Sequence, residues 1–395
     1  MEKRKVYMDY AATTPMKKEV LDAMMPYYTE LFGNASSIHC FGREVKSALE
    51  TAREEVAKLI NANTSEIYFT AGGTEADNWA IKGYAFANKE RGNHIITTKI
   101  EHHAVLHTCE YLEKYHGFEV TYLDVDKDGI VDLKQLRESI KDTTILISVM
   151  FANNEIGTIQ PIKEIAQIAK EKGIAFHTDA VQAVGNVKVD VKELDIDLMA
   201  MSSHKIYGPK GVGALYVKKG IKLHPLVHGG AQEKKRRAGT ENIAGIVGFG
   251  KAAQIARINL DNHIEKLTSL REKLINGVLD KIPYTRLNGH RTNRLPGNAN
   301  FSFEFIEGEA LLLSLDMLGI AGSSGSACTS GSLDPSHVLM AIGLSHEIAH
   351  GSLRLSLGDM NTEEDVDYVL DNLPKIVERL RMMSPLYEKV TKGGN

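Results

Sequence analysis

A chain of 395 residues is too long for one simple hydrophobic core and points to two domains, one of them split in sequence. With 43% hydrophobic and 25% charged residues it has the make-up of a soluble globular protein, and a net charge of −4 gives no general attraction to nucleic acid or an anionic membrane. Cys40, Cys109 and Cys328 are odd in number, widely spaced and free of any CxxC, which argues against a disulfide framework and for a reducing, cytoplasmic compartment. The start "MEKRKVYMDY" is basic but meets no apolar signal core, and the longest apolar run, "ILISVMFA", is too short to span a bilayer.

Along the chain, "VKSALETAREEVAKLI" places Val45, Ala48, Leu49, Ala52, Val56 and Leu59 on one helical face. The short apolar run "EIYFT" is followed by "AGGTEADN" and the helical "WAIKGYAFANKE". Strand "HIITT", a helix through "AVLHTCEYLEKY" and strand "FEVTYLDV" come next. "TILISVMF" reads as a fully buried strand, and "PIKEIAQIAKEKG" as a helix with proline at its start and glycine past its end. "IAFHTDAV", "DLMAMSS" and "GVGALYV" complete the series, which predicts an α/β fold with a mainly parallel sheet covered on both faces. Beyond about residue 260 the texture changes. A long polar helix, the strand "NANFSFEF", a helix near "GEALLLSLDMLG", the strand-like "GSLRLSLG" and a closing helix read as a smaller α+β domain.

Three strand ends are unusually polar, and ligands in open α/β sheets gather at such ends. In "FTAGGTEADN", Gly72 and Gly73 allow a tight turn and Thr74 stands where a helix begins; the pattern fits either a phosphate cradle or a plain turn and cap. In "FHTDAVQ", Asp179 and Gln182 follow a strand that should be buried, where a carboxylate is costly without a partner. In "MSSHKIYGPKG", Lys205 is either a surface lysine or an amine able to lose its proton and attack a carbonyl. Together a phosphate cradle, an acid and a lysine are what pyridoxal 5'-phosphate requires. The loop "SSGSACTSGSLDP" is the remaining puzzle, because it sets Cys328 among small residues that suit neither helix nor strand.

The ordered motifs "YMDYAATTP", "GNASSIHCFGREV", "FTAGGTEADNWAI", "EHHAV", "NNEIGTIQPI", "HTDAVQ", "SSHKIYGPKGVGALY", "RRAGTENI", "SSGSACTSGSLDPSHVL" and "GSLRLSLG" resemble pyridoxal-phosphate cysteine desulfurases of the NifS/IscS type, within the class-V aminotransferase-like family. The resemblance runs from about residue 6 to residue 358. It implies fold type I, with a seven-stranded sheet in a large domain over 15–260 and a small domain formed by 1–14 and 261–395 that carries the Cys328 loop. It implies that Lys205 holds the cofactor, that Asp179 pairs with its ring nitrogen, and that Asn154 and Gln182 touch the phenolic oxygen side. His102 would stack on the ring and assist proton transfers; Gly73, Thr74, Ser202 and His204 would form the phosphate side. Thr240 would reach the partner subunit's cofactor in a homodimer, Arg354 would fork the substrate carboxylate with Asn154 nearby, and Cys328 would take sulfur from L-cysteine as a persulfide. The acceptor would be a protein such as an iron–sulfur scaffold. The end "SPLYEKVTKGGN" lacks the longer docking tail of IscS-type members, which places the chain nearer NifS-like ones, and Ala35 stands where proline is common. A selenocysteine lyase on the same scaffold is the alternative reading.

Other patterns carry blander expectations. "DVDKDGIVD" opens like a calcium loop, but Gln135 stands at the twelfth position and a strand precedes it, so an acidic turn is expected. His103 and His107 could share a helical face without a shell of further metal ligands. Cys40 and Cys109 are expected as buried small hydrophobes, and "KKRR" (234–237) as a solvated loop unless something anionic lies near.

Overall fold

A computed structural model of the chain describes residues 4–324 and 335–391. Seven strands form the main sheet: β2 (Ile67–Thr70), β3 (His94–Thr98), β4 (Glu119–Leu123), β5 (Thr144–Ser148), β6 (Ala175–Asp179), β7 (Leu198–Ser202) and β8 (Gly213–Val217). Their spatial order is β2-β8-β7-β6-β5-β3-β4; β8 runs antiparallel to both neighbours and every other pairing is parallel. β3, β5, β6, β7 and β8 are buried along their whole length, as strands covered on both faces must be. The helix Cys40–Leu59 packs its Val45, Leu49, Ala52 and Val56 stripe into one core; Trp79, Ile81, Val105 and Leu112 belong to another. The long strand-rich run before residue 220 therefore folds as its hydrophobic periodicity requires.

A second, antiparallel sheet has the order β12-β10-β9, from β9 (Thr285–Asn288), β10 (Asn298–Phe303) and β12 (Ser352–Ser356). Beside it β1 (Val6–Tyr7) pairs in parallel with β11 (Ile320–Ala321), so the N-terminus joins the C-terminal core through Val6 and Met8. Helix Glu363–Met382 covers this core with Val366, Val369, Leu373 and Val377.

The helix expected near residue 262 starts much earlier. It is one helix, Ile243–Lys281, whose 39 residues extend about 58 Å at 1.5 Å per residue. Ile246, Phe249 and Ala253 lie in the core of the main sheet, while Leu267, Leu274 and Val278 lie in the core of the second. Its first turns cross helix Cys40–Leu59 at glycine: a Cβ on Gly250 would stand 2.5 Å from Ala52 Cα. Cys109 is buried as expected, but Cys40 is exposed, because it opens its helix off the stripe that packs inward.

The 233–237 stretch is tethered rather than freely solvated. Glu233 adopts φ 43° and buries its carboxylate against Arg53, with Nη1 and Nη2 each 2.8 Å from an oxygen and Phe69 N donating at 2.9 Å. Arg237 forks Glu75 at 2.8 and 3.1 Å, and Arg236 sits over the Tyr68 ring. The acidic 124–132 stretch is a turn in which Asp126 Oδ1 accepts from Asp128 N and Ile130 N, and Asp124 pairs with Lys99.

Two stability outcomes follow. Gly250→Ala should cost about 1–3 kcal/mol despite alanine's better helix propensity, because backbone must move to admit the methyl. An unchanged denaturant midpoint would contradict that close approach. Glu233→Gln removes the buried counter-ion of Arg53, leaving only Glu50 at 3.4 Å from its Nε, and should cost about 3–5 kcal/mol, with Arg53→Met/Glu233→Leu recovering much of the loss in the same urea titration.

Candidate active site

The carboxyl edge of the main sheet opens onto a cavity of roughly 430 Å³. β6 delivers Asp179 and the turn after it Gln182; β7 delivers Ser202 and the short 3₁₀ turn Ser203–Lys205 delivers His204 and Lys205. Helix Gly73–Asn78, which runs on without a break to Ala87, presents Gly73 and Thr74. His102, Asn154 and Arg354 complete the wall. Ten residues singled out in the sequence thus converge on one cavity.

Each is aimed by local structure. Gly73 is required at its position, since a Cβ there would stand 2.6 Å from Val181 Cγ2 and close the space beside the helix start. His102 caps helix His103–His116, its Nδ1 accepting from Ala104 N at 3.1 Å, which sets the ring over the cavity. Asn153 is buried, and its Oδ1 accepts from Glu155 N and Ile156 N, so the turn projects Asn154 inward. Asp179 Oδ1 accepts from Val181 N at 2.9 Å. Burial pushes the Asp179 carboxyl up, against the opposing pull of His102, the Val181 N–H and Lys205. His204 is held down to about 4 by burial and by Lys205 and Lys210, so it is neutral and shares its Nδ1 with Thr13 Oγ1 at 3.0 Å.

The N-terminal segment is the part whose role the sequence did not disclose. Lys205 Nζ donates to Ala11 O at 2.5 Å and Ala12 O at 2.8 Å, and Gln182 Nε2 donates to Ala11 O at 2.9 Å. Asp9 lines the cavity and accepts from Arg354 Nη2 at 2.9 Å, while Arg354 Nη1 donates to Asn154 O at 3.1 Å. The guanidinium expected to fork a carboxylate therefore already holds one. "YMDYAATTP" marks this segment as unusual but leaves Asp9 without a role, because its partner is 345 residues away.

Thr240, expected to reach the partner subunit's cofactor, does not line this cavity. Thr240 is exposed on the loop that Arg237 fastens to Glu75, away from this protomer's cavity wall. Cys328 lies outside the described residues. The residues flanking that segment are fixed to the site: Ser323 lines the cavity and exchanges two backbone hydrogen bonds with Arg354, at 3.0 and 2.6 Å. On the other side Ser336 Oγ donates to Glu155 Oε2 at 2.5 Å, and the His337 ring meets Glu101 O at 3.0 Å. Burial pushes the Glu155 carboxyl up to about 7. His103 stacks on His107 at 4.8 Å and meets His337 at 4.9 Å, yet no group among the described residues is arranged to hold a metal ion. Nor is any described helix long and apolar enough to cross a membrane.

Comparison with known proteins agrees with this construction. Residues 6–369 match the class-V aminotransferase family. The chain is 62% identical over 392 residues to the cysteine desulfurase IscS of Clostridium botulinum, covering 99% of this chain and 98% of that one. It is also 62% identical to the IscS of Methanosarcina thermophila, over 98% and 96% of the two chains. A solved NifS-like protein superposes with a TM-score of 0.90 at 40% identity, covering 95% of this chain and all of that one. SspA in complex with cysteine superposes with a TM-score of 0.81 at 39% identity, over 91% of this chain and all of SspA. With its strand-end acid and lysine at the carboxyl edge of a seven-stranded sheet, the chain belongs to the class-V aminotransferase family, among its cysteine desulfurases.

Proposed function

We propose that this chain is a pyridoxal-phosphate-dependent cysteine desulfurase that converts L-cysteine to L-alanine and takes the sulfur as a persulfide on Cys328. The observation that carries the reading is the placement of Asp179 and Lys205 at the ends of adjacent strands, facing one cavity with Arg354 on its wall. The cavity suits the cofactor chemically. A buried carboxylate with one oxygen tied to backbone suits a protonated ring nitrogen, and Gly73 with Thr74, Ser202 and His204 offers a helix start and polar groups for a phosphate. When bound, the cofactor supplies an aldehyde that condenses with amines and a protonated ring that draws electrons from the substrate Cα.

The chain's own residues then divide the work. Asp179 would keep the ring nitrogen protonated, and Asn154 and Gln182 would hold the phenolic oxygen side. Arg354 binds the substrate carboxylate through the part of its guanidinium not held by Asp9 and Asn154, a planar fork that lysine cannot copy. With its amine free, Lys205 would be the base that moves the substrate Cα proton, and His102 would assist beside it. The Cys328 thiolate attacks the substrate sulfur; the new S–S bond forms as the substrate C–S bond breaks, and cysteine plus thiol becomes alanine plus persulfide. A sulfur-acceptor protein, such as an iron–sulfur scaffold, then takes the outer sulfur.

A homodimer fits this scheme. Tyr28, Phe32, Ile38 and Phe41 are large, apolar and exposed in the N-terminal region, the kind of surface a partner covers. In such a dimer Thr240 would help hold the partner subunit's phosphate. The exposed thiol of Cys40 suits a reducing cytoplasm.

Assay of the purified protein with L-cysteine for alanine and sulfide tests the reading. Lys205→Ala should lose the absorbance band of the lysine-bound cofactor and reduce turnover by about 10²–10⁴-fold or more. Cys328→Ser should keep that band and lose sulfide release. Sulfide release by Cys328→Ser at the parent rate would overturn the persulfide role, and undiminished turnover of selenocysteine by that variant would favour the lyase. Arg354→Lys should raise KM for cysteine about tenfold or more, in keeping with the loss of a bidentate charged contact.

A further inference from the structure

Beneath the cavity two buried polar atoms lack the partners their burial demands. Asp77, on the helix that starts at Gly73, is 1% exposed and lines the cavity, and its Oδ1 has no hydrogen-bond partner among the described residues. His177 is fully buried in β6, two residues before Asp179, and its Nε2 is likewise without a partner. These two atoms face each other at 3.5 Å. The other ring nitrogen of His177, Nδ1, lies 2.8 Å from Ser148 Oγ on neighbouring β5. Native interiors seldom leave such atoms unmatched, so a pair of them meeting below a reaction cavity calls for a chemical reason.

The reason lies in the count of acids. Asp77, Asp179 and Glu101 are all buried and close enough to act on one another electrostatically. Glu101 Oε1 accepts from Thr98 Oγ1 and Met150 N, at 2.8 and 2.9 Å, but its Oε2 has no partner among the described residues, and burial pushes the Glu101 carboxyl up to about 8. Like charges in a low-dielectric interior cannot all be present, and the one that persists is the one that faces cations. His102 and Lys205 act on Asp179, whereas Asp77 meets only burial and the two other carboxyls. Burial holds His177 down to about 3, so it offers Asp77 a neutral acceptor and not a cation.

We propose that Asp77 is a neutral carboxylic acid at physiological pH, its O–H directed at His177 Nε2, so that Asp179 is left as the anion facing the cofactor's ring nitrogen. His177 then carries its own proton on Nδ1 and donates it to Ser148 Oγ. His177 is a positioning residue: it touches neither substrate nor cofactor and acts by keeping the Asp77 proton away from Asp179. Without that acceptor, the proton is shared between the two aspartates and Asp179 loses part of its charge. This rests on the cofactor reading above and adds to it a charge assignment for the cavity floor.

Infrared difference spectroscopy of the full-length protein tests the charge state directly. Asp77→Asn should remove a protonated-carboxyl C=O stretch that the parent shows at pH 7 and retains at pH 9; loss of carboxylate bands instead would overturn the proposal. His177→Gln, which keeps an acceptor, should retain the stretch at a shifted frequency, and an unshifted stretch would show that His177 is not the partner. The second readout is the pH midpoint of the lysine-bound cofactor's absorbance. Asp77→Asn should leave it in place, whereas removal of an ionised neighbour would shift it by about one unit, a tenfold change in proton affinity. His177→Leu should move it and His177→Gln restore it; no movement in His177→Leu would overturn the positioning role. Absence of the absorbance band in the parent protein would refute the cofactor reading, while the infrared result would still decide the state of Asp77.

Discussion

A carboxylate at the end of a buried strand has to be offset by something, and the polar architecture of this protein is arranged around that requirement at Asp179. Burial raises the carboxyl, while His102, the Val181 N–H and Lys205 oppose it. Those three come from a helix terminus, the residue two places on, and the neighbouring strand's end. Only the Val181 N–H is local; His102 and Lys205 are brought by the fold. The parallel sheet is what makes the arrangement possible, because it brings the ends of β5, β6 and β7 to one edge while the strands themselves stay dry.

The second structural requirement is that the small antiparallel sheet be held against that edge in a fixed register. The N-terminal segment does this twice. Its carbonyls at Ala11 and Ala12 receive Lys205 and Gln182 from the large sheet, and its Asp9 receives Arg354 from β12. Arg354 is 4% exposed, and its Nε has no partner among the described residues. A buried guanidinium with donors to spare beside an open cavity suits the anionic guest proposed for it, and its attachment to Asp9 and Asn154 O fixes the plane of its fork.

Most of the main sheet was legible because each strand is a short apolar run closed by glycine, proline or a polar cluster. The long helix was legible only in its second half. Its opening, "IAGIVGFGKAAQ", has three glycines and reads poorly as helix, since glycine is costly there. The fold overrides that propensity: Gly248 stands against Met24 and Gly250 against Ala52, where no other residue fits without displacement. Asp9 was invisible for a different reason, since its partner is fixed by tertiary contact. The same holds for Asp77 and His177, which look like ordinary strand and helix polar residues until the sheet places them face to face. Cys40 was misjudged because a cysteine's usual burial says nothing of where its helix turns it.

The geometry around residues 325–334 bears on why a sulfur-transferring enzyme would use this scaffold. Ser323 is bonded in both directions to the backbone of Arg354, the group proposed for the substrate carboxylate. Ser336 is bonded to Glu155, the residue after Asn154, and His337 to the carbonyl of Glu101, the residue before His102. The two flanks of the Cys328 segment are thereby fastened to the three elements that would hold carboxylate, phenolic oxygen side and ring. An aminotransferase has no need for such attachments, because its chemistry ends at the cofactor. An enzyme that must bring a thiol to a bound substrate gains from them, because the anchors on either side of the segment are bonded to the residues proposed to orient that substrate, and alignment governs an intramolecular attack.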